Sequence, residues 1–144
     1  MPATRILIAN IVPAATAEQN EYVADVIIVG AGGAGMTAAI EANEAGASVI
    51  ILEKKSYAGG NTNRASGGID AAGTQLQRDA GITDSAEQFA QDILRQVKTN
   101  NMELVEYLAS QGEETIEFAQ SIGSTFSPTI RIQYNDKPKR MFNP

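Results

Sequence analysis

The chain has 144 residues, a net charge of −6 and an apolar fraction of 43%, which suits one modest domain with a real core and argues against global disorder. An acidic surface repels polyanions, so general nucleic-acid binding is disfavoured. Cysteine and histidine are both absent. That removes disulfides, thiolate metal sites, a cysteine nucleophile and the imidazole base, leaving proton chemistry to carboxylates, lysine, arginine or tyrosine. No metal site is expected.

Residues 1–22 read as a leader. Arg5, the stretch Ile6 to Pro13 and Ala15-Thr16-Ala17 loosely copy a secretion signal. Asn10 and Pro13 interrupt the short apolar stretch, so a leading strand or a disordered leader is the better reading. A cytoplasmic location follows, with export as the alternative if residues 1–17 act as a signal. No apolar run reaches the length needed to span a bilayer.

Residues 25–35 read Asp-Val-Ile-Ile-Val-Gly-Ala-Gly-Gly-Ala-Gly, and Glu53 follows Gly30 by 23 positions. Val26 to Val29 form a continuous apolar run, as in a parallel strand covered on both faces. Residues 34–45 are alanine-rich and suit a packed helix, Gly46 sits at its stop, and Ser48 to Leu52 give the next buried strand. This is the G-x-G-x-x-G arrangement of a dinucleotide-binding βαβ unit. Gly30 allows the tight turn, Gly32 lets backbone approach a pyrophosphate, and Gly35 lets helix and strand pack closely. Unpartnered N–H groups at the helix start favour an anion. Glu53 is placed to accept hydrogen bonds from a ribose, which disfavours a 2′-phosphate, although Lys54 and Lys55 stand beside it.

Residues 54–82 are rich in glycine punctuation and read as loop. A helix over 84–98 follows, with Ala86, Phe89, Ala90, Ile93, Leu94 and Val97 on one face, Asp84 as its cap and Glu87 three residues on. A second helix spans Met102 to Ser110 with Asn101 as cap and Leu104, Val105, Leu108 and Ala109 on one face. A third runs from Glu113 to Ile122 and stops at Gly123. These stripes read as core. Ile130, Ile132 and Tyr134 alternate as in a short strand, and Lys137 to Pro144 carry no folding signal. Residues 124–144 hold a net +3, leaving −9 for the rest; a short basic end of this kind is usually a solvated tail.

The second dense signal is Gly59-Gly60-Asn61-Thr62-Asn63-Arg64-Ala65-Ser66-Gly67-Gly68-Ile69-Asp70. Its glycine pairs open unusual backbone conformations, and its polar side chains can bond phosphate, ribitol or ring heteroatoms. Placed just after the Glu53 strand, at the carboxyl end of the sheet, the loop reads as a ligand contact. Taken together, V-I-I-V-G-A-G-G-A-G-M-T-A-A-I, E-K-K-S-Y-A-G-G-N-T-N-R-A-S-G-G-I-D-A-A and the stretch from G-I-T-D-S-A-E-Q-F to N-M-E-L-V-E-Y-L-A-S resemble the flavoprotein family of fumarate reductases and succinate dehydrogenases, in its soluble, flavocytochrome c-like branch. The resemblance covers residues 23–123.

That resemblance implies an α/β fold: a Rossmann-like FAD/NAD(P)-binding βαβ unit followed by helices, incomplete relative to the family fold. It implies bound FAD. Gly30, Gly32, Gly33, Ala34 and Gly35 would line the pyrophosphate and adenosine side, Glu53 would hold the ribose with Lys54 beside it, and Asn61, Thr62, Ser66, Gly67 and Gly68 would run along the flavin half. Asn61 stands where the respiratory branch has its flavin-tethering histidine, so FAD is expected to be noncovalent. In the family, reduced flavin passes hydride to an unsaturated acid. The residues that bind that acid and donate its proton lie beyond the matched region, so no catalytic residue is assigned. The expected organisation is a leader at 1–22, the N-terminal part of an FAD-binding domain at 23–123 and a divergent tail at 124–144. The expected function is the FAD-binding portion of a fumarate reductase-like oxidoreductase, not catalytically complete by itself, with the remainder of the flavoprotein or another redox subunit as partner. The alternatives are a stand-alone FAD or NAD module docking on a partner, or an inactive truncated fragment.

Overall fold

The computed structural model describes residues 6–10, 21–96, 101–132 and 138–143. The signal-like Ala15 to Ala17, Val97, Tyr134 and Lys137 lie outside them. The chain divides into two compact units, Met1–Ala65 and Ser66–Pro144.

The first unit is α/β. Strands β1 (Ile6–Asn10), β2 (Val26–Val29) and β3 (Val49–Glu53) form a parallel sheet in the order β1-β3-β2, and helix α1 (Gly33–Glu44) connects β2 to β3. The leader thus contributes a strand. The α1 terminus is closed by a paired backbone motif: Gly46 N–H donates to Asn43 O (2.9 Å) and Ala47 N–H to Ala42 O (3.0 Å), satisfying carbonyls that the helix leaves unpaired. Ala31, Ala39, Val49 and Ile51 form the core, with Val26, Ile28, Ala42 and Ala58 against it. The outer ends of β2 and β3 are clamped by Asp25, whose carboxylate accepts from the Ser48 N–H (2.8 Å) and hydroxyl (2.6 Å). The Ser48 hydroxyl and backbone hold the Asp25 carboxyl below its usual range.

The apolar run of β2, read as covered on both faces, is covered on one. Val26 and Ile28 share the face of Val49 and Ile51, where α1 packs. Ile27 and Val29 point the other way and are 59% and 79% exposed. Period-2 alternation decides this: one helix can bury only one set of alternate residues.

The second unit joins helices to a small antiparallel pair. Helix α2 (Gln75–Asp79) falls in the stretch read as loop. Its cause is a capping box: Thr74 Oγ1 accepts from Gln77 N–H (3.1 Å), while Gln77 Oε1 accepts from Thr74 N–H (3.1 Å), satisfying two donors reciprocally. Helices α3 (Ala86–Gln96), α4 (Met102–Ser110) and α5 (Gly112–Ser121) follow. Asn101 caps α4 as expected, accepting from Leu104 N–H (3.2 Å). On α4, Val105 and Ala109 face the core while Leu104 and Leu108 are exposed, so the packed stripe is narrower than expected.

Two expectations change here. Asp84 does not cap α3, because Arg140 and Gln77 take its carboxylate; Ser85 caps instead, accepting from Gln88 N–H (3.2 Å). Nor is the end of the chain without structure. Strand β5 (Met141–Phe142) pairs antiparallel with β4 (Ile69–Asp70). Phe142 is fully buried with Ala71, Ile116 and Ile130, its ring edge-on to Phe126 at 6.1 Å. Of the short strand suggested by Ile130, Ile132 and Tyr134, the described residues show Arg131 in a single antiparallel bridge to Met141.

Candidate cofactor site

After Val29 the chain turns through Gly30, whose φ of +102° lies where L side chains are strained. Leu52 O accepts from the Gly30 N–H (2.7 Å), joining the turn to the end of β3. Gly35 is required for a different reason. A Cβ built there would overlap the Gly30 carbonyl oxygen, so α1 can lie this close to the turn only if position 35 has no side chain.

Gly32 fits neither case. Its φ is −82°, open to any residue, and a Cβ there would meet nothing within 4 Å. The same open space lies over Gly30. Gly32 is also the N-cap of α1 and brings no capping side chain. The Ala34 and Gly35 N–H groups therefore stand uncapped at the positive end of the helix dipole. Bare backbone, open space and unclaimed donors suit a diphosphate. This is the fit expected of residues that hold the pyrophosphate of FAD.

Glu53 ends β3 and is 7% exposed. Its two oxygens are already engaged: Oε1 accepts from Lys55 N–H (2.9 Å) and Oε2 from Ala31 N–H (2.8 Å). Those two donors hold its carboxyl below the usual range, with help from the Lys54 N–H and the Lys55 charge. A carboxylate has about four acceptor positions, so lone pairs remain for a ribose hydroxyl. The structural task of Glu53, fixing the glycine turn to the sheet, was not foreseen in the sequence. Lys54 itself is exposed.

The second glycine loop packs against the first. Gly59 N–H donates to Ala31 O (2.6 Å), and Gly32 and Gly59 form a parallel bridge. Thr62, in a short 3₁₀ turn over Thr62–Arg64, accepts from Gly33 N–H (3.1 Å) and so takes one first-turn donor of α1, leaving those of Ala34 and Gly35. Asn61 is exposed alongside. Ala31 joins the site without having been singled out, while Gly59 and Gly60, with φ of +113° and +53°, are the first of the glycine pairs that marked this loop in the sequence. Ser66, Gly67 and Gly68 belong to the second unit. Ser66 is exposed, Gly67 has a φ of +87°, and a Cβ on Gly68 would lie 3.1 Å from the Met141 side chain. A depression of about 650 Å³ in that unit, lined by Thr74, Gln77, Arg78, Asp84 and Glu113, includes none of the expected cofactor residues. Among the described residues no cluster of acids could hold a metal ion, and no helix is long and apolar enough to cross a membrane.

Comparison with known proteins agrees with this geometry. The FAD binding domain family matches residues 25–139. The NADH:fumarate oxidoreductase of Klebsiella pneumoniae (strain 342) is 45% identical over 100 residues, 69% of this chain and 11% of that protein. The fumarate reductase (cytochrome) of Shewanella frigidimarina is 38% identical over 112 residues, 77% of this chain and 20% of that protein. Among solved structures, the open conformation of a flavocytochrome c3 fumarate reductase superposes with a TM-score of 0.77 at 32% identity, covering 84% of this chain and 22% of that one. The chain therefore spans about a fifth of the length of such relatives or less. The likeness covers the Rossmann-like βαβ start and the helices after it. By sequence and by fold, the chain belongs to the FAD binding domain family and is homologous to that part of the fumarate reductase-like flavoproteins.

Proposed function

We propose that the chain holds the adenosine and pyrophosphate half of FAD within a fumarate reductase-like flavoprotein oxidoreductase acting on an unsaturated dicarboxylate or a similar acid. In this reading Gly30, Gly32, Gly33, Ala34 and Gly35 line the pyrophosphate; the N–H groups of Gly32, Ala34 and Gly35 and the helix dipole face it, while those of Gly30 and Gly33 hold the turn in shape by bonding Leu52 O and Thr62 Oγ1. Glu53 orients the ribose, with Lys54 beside it. Asn61, Thr62, Ser66, Gly67 and Gly68 follow the ribitol and flavin. No histidine is available for a covalent link, so the cofactor is noncovalent. When bound, the flavin supplies the redox chemistry; the residues present here bind and orient, and none is assigned a catalytic step. Residues 23–123 are the FAD-binding part, and the complete reaction draws on further polypeptide of the flavoprotein type or another redox subunit.

The observation that carries this reading is Gly32. Gly30 and Gly35 are explained by backbone angle and crowding, whereas nothing in the protein itself demands a glycine at position 32. A ligand approaching the backbone does demand one. Gly32→Ala should therefore change thermal stability by no more than about 1 kcal/mol, the stiffer unfolded chain offsetting alanine's poorer fit at an N-cap, while weakening FAD binding about tenfold or more, or about 1.4 kcal/mol. Quenching of flavin fluorescence on titration with protein measures the affinity. An alanine variant that binds FAD as tightly as the native chain overturns the proposal.

A further inference from the structure

Strand β1 lies outside the family match, which begins at residue 25, yet it completes the sheet. All five of its residues pair in register with β3, from Ile6 opposite Val49 to Asn10 opposite Glu53. Strand β3 would otherwise present that edge unpaired. An edge of this kind is a template for any strand that can match it. In a doubly wound sheet the strand after a βαβ unit continues outward on that side, so β1 fills a position that the fold keeps for another strand.

Its hold there is shallow. Ile6, Leu7 and Ile8 remain 40%, 41% and 45% exposed, in contrast to Val49 and Ile51 of β3, each 1% exposed. The attachment is therefore mostly main-chain pairing, which depends on register and not on a particular neighbouring chain. We propose that the outer edge of β3 is a strand-acceptor site, that residues 6–10 are its built-in occupant, and that the same segment of a second copy can take its place to form a strand-exchanged dimer. Exchange of an identical element keeps every contact the strand makes and so costs little beyond association.

The absence of cysteine allows a clean test with the full chain. Ala9 and Leu52 are register partners, close enough for a disulfide when both are cysteine. The double variant Ala9→Cys/Leu52→Cys should close within one chain at low concentration under mild oxidation. An equal mixture of the two single variants cannot close internally. It should instead yield dimers linked between positions 9 and 52 as concentration rises. The off-register mixture of Leu7→Cys with Leu52→Cys, about 8 Å apart on the same face, should yield about tenfold fewer, since disulfides do not span more than about 7 Å. An unlabelled peptide of residues 4–12 should suppress the linked dimer by competing for the edge. Three results overturn the proposal: failure of the double variant to close, absence of the in-register dimer from the mixture, or equal yields from the two mixtures. Linked dimers that appear in register and fall with added peptide support it.

Discussion

Gly32 and Gly35 are three positions apart and answer to different forces. A side chain at 35 meets the Gly30 carbonyl within the protein, while one at 32 meets only open space. Gly35→Ala should therefore damage the fold itself, costing about 1–3 kcal/mol as the backbone shifts to admit a methyl group, read as a drop in the urea midpoint. Glu53 makes a second prediction, through pH. Its carboxyl is held below the ordinary glutamate value of 4.5 by the Lys55 and Ala31 N–H groups. The stability it contributes is thus fully present above that unfolded value and is lost as pH falls through the lower folded pKa. Glu53→Gln removes one of the two acceptor oxygens and the dependence with it. The stability gap between native and variant chains should accordingly shrink from about pH 6 to about pH 3; a gap that stays constant or widens on acidification refutes the assignment. The glycines were legible because turn, approach and packing each impose a spacing. The bonds from Ala31 and Lys55 were not, since backbone donors carry no residue-type signature.

The helices of the second unit were read well where local rules decide them, as at Asn101 and α4. They were misread where a distant partner overrides a local one. Asp84 had the spacing of a cap, but Arg140, 56 positions away, claims its carboxylate at 2.6 and 2.8 Å. Arg140 also reaches Asp92 at 2.5 Å, its guanidinium lies 4.9 Å from the centre of the Phe89 ring, and it is 2% exposed. Composition alone made it part of a solvated basic end; only the folded structure brings two acids to it. Helix α2 was missed for the opposite reason. Its capping box was in plain view, but five residues are too few for a periodic stripe. Arg140→Met should cost about 3–5 kcal/mol, because it leaves Asp84 charged and buried with no cation bonded to it, and Asp92 with only the exposed Arg95. Arg140→Lys should recover little, since a point charge cannot replace a fork that spans two carboxylates. Adding Asp84→Asn and Asp92→Asn to Arg140→Met should restore much of the loss, and urea denaturation of the set decides it. Loss of β5 alone would be indifferent to the aspartate changes.

At the scale of the whole molecule, the expected cofactor residues are divided between two compact units. Gly30 to Gly35, Glu53, Lys54, Asn61 and Thr62 belong to the first, and Ser66, Gly67 and Gly68 to the second. The pyrophosphate and ribose determinants therefore sit together in one unit, while the flavin-side set is split between the two. Such relatives are about four times as long as this chain, so their contacts to a flavin ring have more polypeptide to come from than these 144 residues. If the glycine cradle supplies most of the affinity, the binding free energy resides in the ADP half of the cofactor. ADP should then displace FAD with an affinity within about tenfold of FAD's own, a difference of about 1.4 kcal/mol. Riboflavin, which has neither phosphate nor adenosine, should fail to compete at similar concentrations. Gly32→Ala should weaken ADP and FAD by the same factor, since both would lose the same backbone approach. Competition titration followed by flavin fluorescence measures all three. Displacement by riboflavin but not by ADP would put the grip on the isoalloxazine side and leave the three-glycine turn without a role in affinity. Equal displacement by both would mean that each half binds on its own, and the Gly32 variant would then weaken ADP but not riboflavin.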